Sequence, residues 1–213
     1  FGNILCMDDA ISLDTKNRHI WVHNIDLFYG QAGSDSDQAK GDGTVDLKGD
    51  SQYITIASCH FFDSGKSSLC GMTSETGPNY ISYHDNWFDH SDSRHPRIRT
   101  MTVHLWNNYY DGNAKYGVGT TMGSSAFVEA NYFRNCKYPM LMARQGHDPE
   151  ATSGSVKTTF SGEDGGFIKS FANVRTGLSA SNYTTWQSNP TSFDAYEAAS
   201  RLEKVPETIV TNH

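Results

Sequence analysis

Three guanidinium groups fall within six residues, Arg94-His95-Pro96-Arg97-Ile98-Arg99, in a chain whose formal net charge is -7. On a strand, Arg97 and Arg99 point to one face and Ile98 to the other. Pro96 biases His95 towards an extended backbone and suits the start of a strand rather than its middle. An outward basic pair backed by an inward apolar residue is what a groove for anions needs. Arg is also the side chain that grips a carboxylate or phosphate two oxygens at a time. A second set of residues is acidic. Asp42-Gly-Thr-Val-Asp46 places two carboxylates four residues apart, an even spacing that brings both to one side of an extended segment. Asp9, one turn of chain earlier, can add a third. Three carboxylates converging with no base between them repel one another, which raises their pKa values or requires a cation. Ca2+ resolves this best, because a hard ion with an incomplete protein shell leaves room for a substrate carboxylate; Mg2+ suits an open groove less.

These residues need a fold that gathers them, and a repeat supplies it. Four nine-residue segments align without a gap: Tyr53–Phe61, Tyr80–Phe88, Thr102–Tyr110 and Ser125–Phe133. His19–Leu27 fits above them and Gly166–Asn173 fits loosely below. One apolar row reads Ile20, Ile54, Ile81, Val103, Ala126, and the next reads Val22, Ile56, Tyr83, Leu105, Val128. Alternation with period two within each copy says strand. An amide column, Asn86, Asn108, Asn131, and an aromatic column, Phe61, Phe88, Tyr110, Phe133, are expected where one coil stacks directly on the next. The spacing between copies varies, so insertions fall in loops while strands keep register. The expectation is an all-β protein, a parallel β-helix rather than a sandwich. Asn-Gly hairpin turns are nearly absent between copies, which argues against an antiparallel barrel.

Each copy is preceded by a shorter strand-like run: residues 10–13, 44–47, 67–70, 97–99, 116–118 and 139–142. These predict a second parallel sheet, and the polar residues of interest concentrate on it and its entry loops: Asp8 and Asp9, Asp42 and Asp46, Lys66, then Arg94, Arg97 and Arg99. The repeat is expected over residues 1–175 and a loop or tail over 176–213. There Asn182-Tyr183-Thr184 is a glycosylation sequon, meaningful in a eukaryotic secreted host. Residues 195–204 read equally as a helix or an extended tail.

With 213 residues, one domain is the simplest count. No apolar run is long enough to span a membrane, and no signal peptide opens the chain, which begins at Phe1 and reads as a mature or trimmed piece of a longer product. The acidic balance argues against nucleic acid as a partner. An acidic substrate remains open, since a basic cluster or bound cation inverts the field in one groove. Cys6, Cys59, Cys70 and Cys136 have no metal-type spacing, leaving buried thiols or one or two disulfides.

The combination of Asp42-Gly-Thr-Val-Asp46, Gly65-Lys66-Ser-Ser-Leu, Ser93-Arg94-His-Pro-Arg97-Ile-Arg99 and Val103-His-Leu-Trp-Asn-Asn-Tyr-Tyr110 resembles the pectate lyases of polysaccharide lyase family 1. The match runs from about Asp9 to Lys169. The resemblance implies a right-handed parallel β-helix, Ca2+ dependence and cleavage of polygalacturonate to unsaturated oligogalacturonides by a secreted, extracellular or periplasmic enzyme. By position it implies Asp9, Asp42 and Asp46 as calcium ligands, Arg94 as the base, and Lys66 and Arg99 as the grip on substrate carboxylates. A monomer is the expected state. Placing Asp9 requires a one-residue gap, which leaves Asp8 as a substitute. Gly65 stands where many members have Asp, and Trp21-Val-His-Asn24 replaces Trp-Ile-Asp-His. The family's N-terminal coils and helical cap are missing, so a further N-terminal segment is expected to cover the open end.

Arginine is normally always charged, so a base of this kind depends on crowding by Lys66, Arg97, Arg99 and Ca2+, and alkaline conditions are expected. Three other functions fit the fold: a calcium-free pectin lyase, a hydrolase using aspartates as acid and base, and a non-catalytic polyuronate-binding β-helix. His84, His90, His95 and His104 form no recognisable triad spacing and are expected in ring stacks or loop hydrogen bonds. Trp21, Trp87 and Trp106 are expected to pack, and Gly117 and Gly119 to serve tight coil geometry.

Overall fold

The computed structural model describes residues 3–4, 9–28, 43–143 and 161–177. Every strand pair in its sheets is parallel, and the strands wind into a right-handed parallel β-helix of three sheets. Sheet 1 stacks Ile11–Leu13, Val45–Leu47, Ser68–Cys70, Arg97–Arg99, Val118–Thr121 and Met140–Met142. Sheet 2 stacks Arg18–His23, Gln52–Ala57, Ile81–His84, Thr102–Trp106, Ser125–Glu129 and Phe167–Phe171. Sheet 3 stacks Asn3–Ile4, Asp26–Phe28, His60–Phe62, Trp87–Asp89, Tyr109–Asp111, Tyr132–Arg134 and Val174–Thr176. Among the described residues no helix is long and apolar enough to cross a membrane.

The expected register holds: Ile20, Ile54, Ile81, Val103 and Ala126 are successive partners in sheet 2. The third sheet was not expected. Each nine-residue copy breaks into two strands at one corner, where Asn24, Ser58, Asp85, Asn107, Ala130 and Ala172 take φ between 52° and 57°. A left-handed residue turns the chain sharply, and the amide of the next residue then stacks along the corner. Asn86 Nδ2 donates to Asn108 Oδ1 at 3.0 Å, and Asn108 Nδ2 to Asn131 Oδ1 at 3.0 Å. Asn131 Nδ2 continues to Asn173 Oδ1 at 3.1 Å, one rung beyond the expected column. Each amide also takes a backbone N–H and reaches back to a carbonyl of the coil above, so buried corner groups are paired rather than orphaned. The aromatic column is equally regular: Phe61, Phe88, Tyr110 and Phe133 stack with centroids 4.4 to 4.9 Å apart.

The core lies inside the coil, where Val45, Leu47, Ile54, Ile56, Ile98 and Leu105 are fully buried. Inward residues of the short sheet 1 strands supply one wall, which fixes their neighbours as outward. The strand expected at 116–118 runs instead from Val118 to Thr121. Gly117 passes so close to Pro139 that a Cβ would sit 2.5 Å from its carbonyl oxygen, while Val118 is the first side chain to enter the core. Cys59, Cys70 and Cys136 are buried free thiols, and burial pushes them up to about 11, about 12 and about 12. Cys6, the tail from 178, Asn182 and residues 195–204 lie outside the described residues.

Asn108 is the most exacting rung, because its amide serves two coils. Asn108→Ala leaves the Asn86 N–H and the Tyr83 carbonyl buried without this partner. Urea unfolding is expected to show a loss of about 3 kcal/mol; a loss below about 1 kcal/mol would mean that water or a shifted neighbour replaces the ladder.

Candidate functional site on the outer face of sheet 1

One outward row of sheet 1 reads Ser12, Asp46, Leu69, Arg97, Gly119, Leu141. Asp46 and Arg97 therefore lie two strands apart on one wall, about 10 Å in backbone spacing. The acidic end is built from Asp9 and Asp46. Asp46 is buried, and its Oδ1 accepts from the Leu69 N–H at 3.1 Å. Asp9 Oδ1 is buried with no hydrogen-bond partner among the described residues. The two carboxylates converge over Gly43, where a Cβ would stand 2.3 Å from Asp46 Oδ1 and 2.9 Å from Asp9 Oδ1. A side chain at that position would force the two carboxylates apart.

A base does stand between them, against the expectation of carboxylates alone. Lys48 Nζ lies 2.7 Å from Asp9 Oδ2 and 3.3 Å from Asp46 Oδ2. Burial works against the Lys48 charge, but the hydrogen bond to Asp9 and the charge of Asp46 outweigh it and raise its pKa. The signal was present in the sequence, since Lys48 follows Asp46 by two and must share its face. Asp8 and Asp42 lie outside the described residues.

The basic end begins one coil below. Lys66 is buried and bridges to Ser93 in parallel register, and the Ser68 N–H donates to the Arg94 carbonyl at 2.8 Å. The backbones of Lys66 and Arg94 are thus neighbours. Arg94 takes φ 65° at the corner leading into Arg97–Arg99. Ile98 is fully buried and Arg97 and Arg99 face outward, as expected. Burial, then the charges of Arg97 and Arg94, lower the Arg99 pKa, with Glu163 opposing. Buried Tyr116 feels the same cluster: burial pushes its phenol up to about 12 against the charges of Arg94, Arg97 and Arg99.

Glu163 has no motif and stands outside the repeat. Its Oε2 accepts from Arg97 Nη2 at 2.9 Å and from Arg99 Nε at 3.4 Å, while its Oε1 lies 3.1 Å from Arg99 Nη2. Burial raises the Glu163 pKa, but hydrogen bonds from Thr121 and Arg97 and the two guanidinium charges lower it overall.

The histidines fill the structural roles expected of them. His84 stacks on Trp106 and His104 on Phe127, at centroid distances of 4.4 and 5.0 Å. Trp87 packs between His60 and Tyr109, whereas Trp21 does not pack in the core: it faces outward, 64 % exposed, against His23. A second group of ligand-type side chains, Asp89, His90 and Asp111, sits on sheet 3, a different wall. It is internally paired: Asp89 binds His90 and, at 3.1 Å, His60 Nε2, and Asp111 Oδ1 takes Arg134 Nε at 3.0 Å. Those histidine bonds outweigh burial and hold Asp89 down at about 2.

Parallel coils thus carry a carboxylate pair and a guanidinium cluster on one outer wall of a β-helix. A sequence family described as pectate lyase matches residues 6–190, and the chain belongs to that family. It is 33% identical over 134 residues to a pectate trisaccharide-lyase of Bacillus licheniformis, covering 62% of this chain and 38% of that protein. It is 31% identical over 147 residues to pectate lyase A of Emericella nidulans, covering 67% of this chain and 43% of that protein. The chain thus spans about two fifths of the length of these relatives. A Bacillus pectate lyase solved in complex with trigalacturonate superposes with a TM-score of 0.63 at 29% identity, over 92% of this chain and 61% of that one.

His95 ties this wall to the core. It is fully buried, its Nδ1–H donates to the Tyr116 carbonyl at 2.7 Å, and its ring meets Phe88 edge-on. Burial, partly offset by the Tyr116 and Gly117 carbonyl contacts, holds its pKa at about 4 against an ordinary 6.5. Between those values the unfolded chain binds one more proton than the folded one, so this contribution is lost as pH falls from 6.5 to 4. Urea midpoints are expected to drop over this window by the equivalent of about 3 kcal/mol, and less steeply in His95→Gln. Parallel curves for parent and variant would contradict the assignment.

Proposed function

We propose that this chain carries the catalytic face of a calcium-dependent pectate lyase that cleaves de-esterified polygalacturonate by β-elimination. The observation that carries this reading is the shared wall: Asp46, Arg97 and Arg99 face outward from one sheet, with Lys66 and Arg94 on its adjoining corner. Calcium is supported by the buried Asp9 Oδ1, which has no hydrogen-bond partner among the described residues, and by the cradle over Gly43 where Asp9 and Asp46 converge. In this reading Asp9, Asp42 and Asp46 hold the ion, which supplies positive charge beside the substrate carboxylate.

Every other part belongs to the chain's own groups. Lys66 and Arg99 bind the uronate carboxylate and offset the charge that grows on it as the neighbouring C5 is deprotonated. Arg94 takes the C5 proton. The released electron pair forms the C4–C5 double bond, the bond from C4 to the glycosidic oxygen breaks, and that oxygen takes a proton from solvent while Arg94 returns the C5 proton to solvent. No water is consumed, and the product is an unsaturated oligogalacturonide. Secretion to an extracellular or periplasmic space and a monomeric state complete the reading.

One observation favours a second reading. The Lys48 ammonium already offsets one of the two charges of Asp9 and Asp46, which lessens the need for a cation, as a calcium-free pectin lyase acting on methyl-esterified polymer would require. A single assay separates the possibilities. On polygalacturonate, ultraviolet absorbance of the unsaturated product is expected to rise with calcium and stop with EDTA. Asp46→Ala is expected to raise the calcium requirement, and Arg94→Ala and Arg94→Lys to lower kcat by about a hundredfold or more. Reducing ends without ultraviolet absorbance would point to a hydrolase, and activity on esterified pectin in EDTA to a pectin lyase. Most activity surviving in Arg94→Lys would remove Arg94 as the base.

A further inference from the structure

We propose that Glu163 is a positioning residue for the uronate clamp, holding Arg97 and Arg99 side by side so that one edge of the Arg99 guanidinium stays presented to substrate. The proposal rests on the function proposed above and extends it to a residue outside the repeat. Arg94, Arg97 and Arg99 are like charges within reach of one another, and repulsion alone would splay them. One carboxylate spans two of them, at 2.9 Å to Arg97 Nη2 and 3.1 Å to Arg99 Nη2. Such charge-assisted contacts fix a planar guanidinium in direction as well as in place.

The donor inventory decides between positioning and competition. A guanidinium has five N–H groups in a rigid fork, enough for two carboxylates on different edges. Glu163 takes the Nε and Nη2 edge of Arg99. Nη1 meets only the Met72 thioether, at 4.0 Å, among the described residues. A uronate carboxylate can therefore dock on the Nη1 and Nη2 edge without displacing Glu163.

Glu163 is also delivered by a backbone that does not depend on its side chain. Met122 N–H donates to the Asp164 carbonyl at 2.6 Å, Gly123 N–H to the Gly165 carbonyl at 3.2 Å, and Phe167 N–H to the Ser124 carbonyl at 2.7 Å. Gly166 packs so tightly that a Cβ would stand 2.5 Å from the Ser124 carbonyl oxygen. Ser161 Oγ accepts both from the Glu163 N–H at 3.1 Å and from Arg97 Nη2 at 3.0 Å. Removing the charge at 163 should then disturb the arginines and leave the segment folded.

The test is calorimetric binding of trigalacturonate in calcium, alongside kcat, KM and the thermal midpoint, for the parent, Glu163→Gln and Glu163→Asp. Glu163→Gln is expected to raise Kd and KM about tenfold and to lower kcat as well, because Arg99 also meets the charge that grows in the transition state, with an unchanged thermal midpoint. Glu163→Asp, which keeps the charge on a shorter stem, is expected to recover part of that loss. An unchanged Kd, or a lower one as a competing internal carboxylate would give, overturns the proposal. So does a loss of affinity matched in both variants by a loss of thermal stability. A parent that binds trigalacturonate without cleaving polygalacturonate would sink the lyase reading, while the Kd comparison would still decide the role of Glu163. A parent that binds no uronate would end both.

Discussion

Successive coils of a parallel β-helix sit one strand spacing apart, about 4.8 Å, however many residues the loops between them contain. That spacing is the constraint on which the site depends. It is enforced on the inside by the Phe61, Phe88, Tyr110 and Phe133 stack and at the corner by Asn86, Asn108, Asn131 and Asn173. A slip of one residue in any coil would turn its inward apolar row outward and break two amide rungs at once. Insertions are thereby confined to loops. Asp46 and Arg97, fifty-one positions apart in the chain, become second neighbours on one wall.

That wall concentrates charge of both signs in a chain that is acidic as a whole. Each like-charge cluster contains one residue of opposite sign: Lys48 between Asp9 and Asp46, and Glu163 between Arg97 and Arg99. Without these, burial would penalise the carboxylates and guanidiniums more heavily, and mutual repulsion would loosen the geometry. A uronate and a divalent cation bring the same two charges from outside. The wall is thus prepared electrostatically for the pair of groups the proposed reaction needs, at the cost of internal partners that must share or yield.

Much of this was readable from residue order, and for physical reasons. Ile20, Ile54 and Ile81 report strand register because a buried face tolerates no slip, and the arginine hexapeptide reports an outward basic strand because Ile98 must go inward. The corner that splits each copy into two strands was not readable. Its left-handed residues include Ser58, Asp85 and Ala130, a mixture with no common chemistry, since stacking of the next residue rather than local propensity selects the conformation. Lys48 could have been found by the even spacing from Asp46. Glu163 could not, because a tertiary contact from outside the repeat delivers it, and no spacing rule reaches across the chain from Arg99 to 163.

In the proposed reaction one uronate touches both ends of the wall. Calorimetric titration of trigalacturonate with calcium and with EDTA, in the parent and in Asp46→Ala, measures this coupling without requiring turnover. Because linkage is reciprocal, calcium should tighten trigalacturonate in the parent by about tenfold or more and much less in Asp46→Ala. Equal affinity with calcium and with EDTA in the parent would show that the carboxylate pair and the guanidinium cluster do not serve the same ligand.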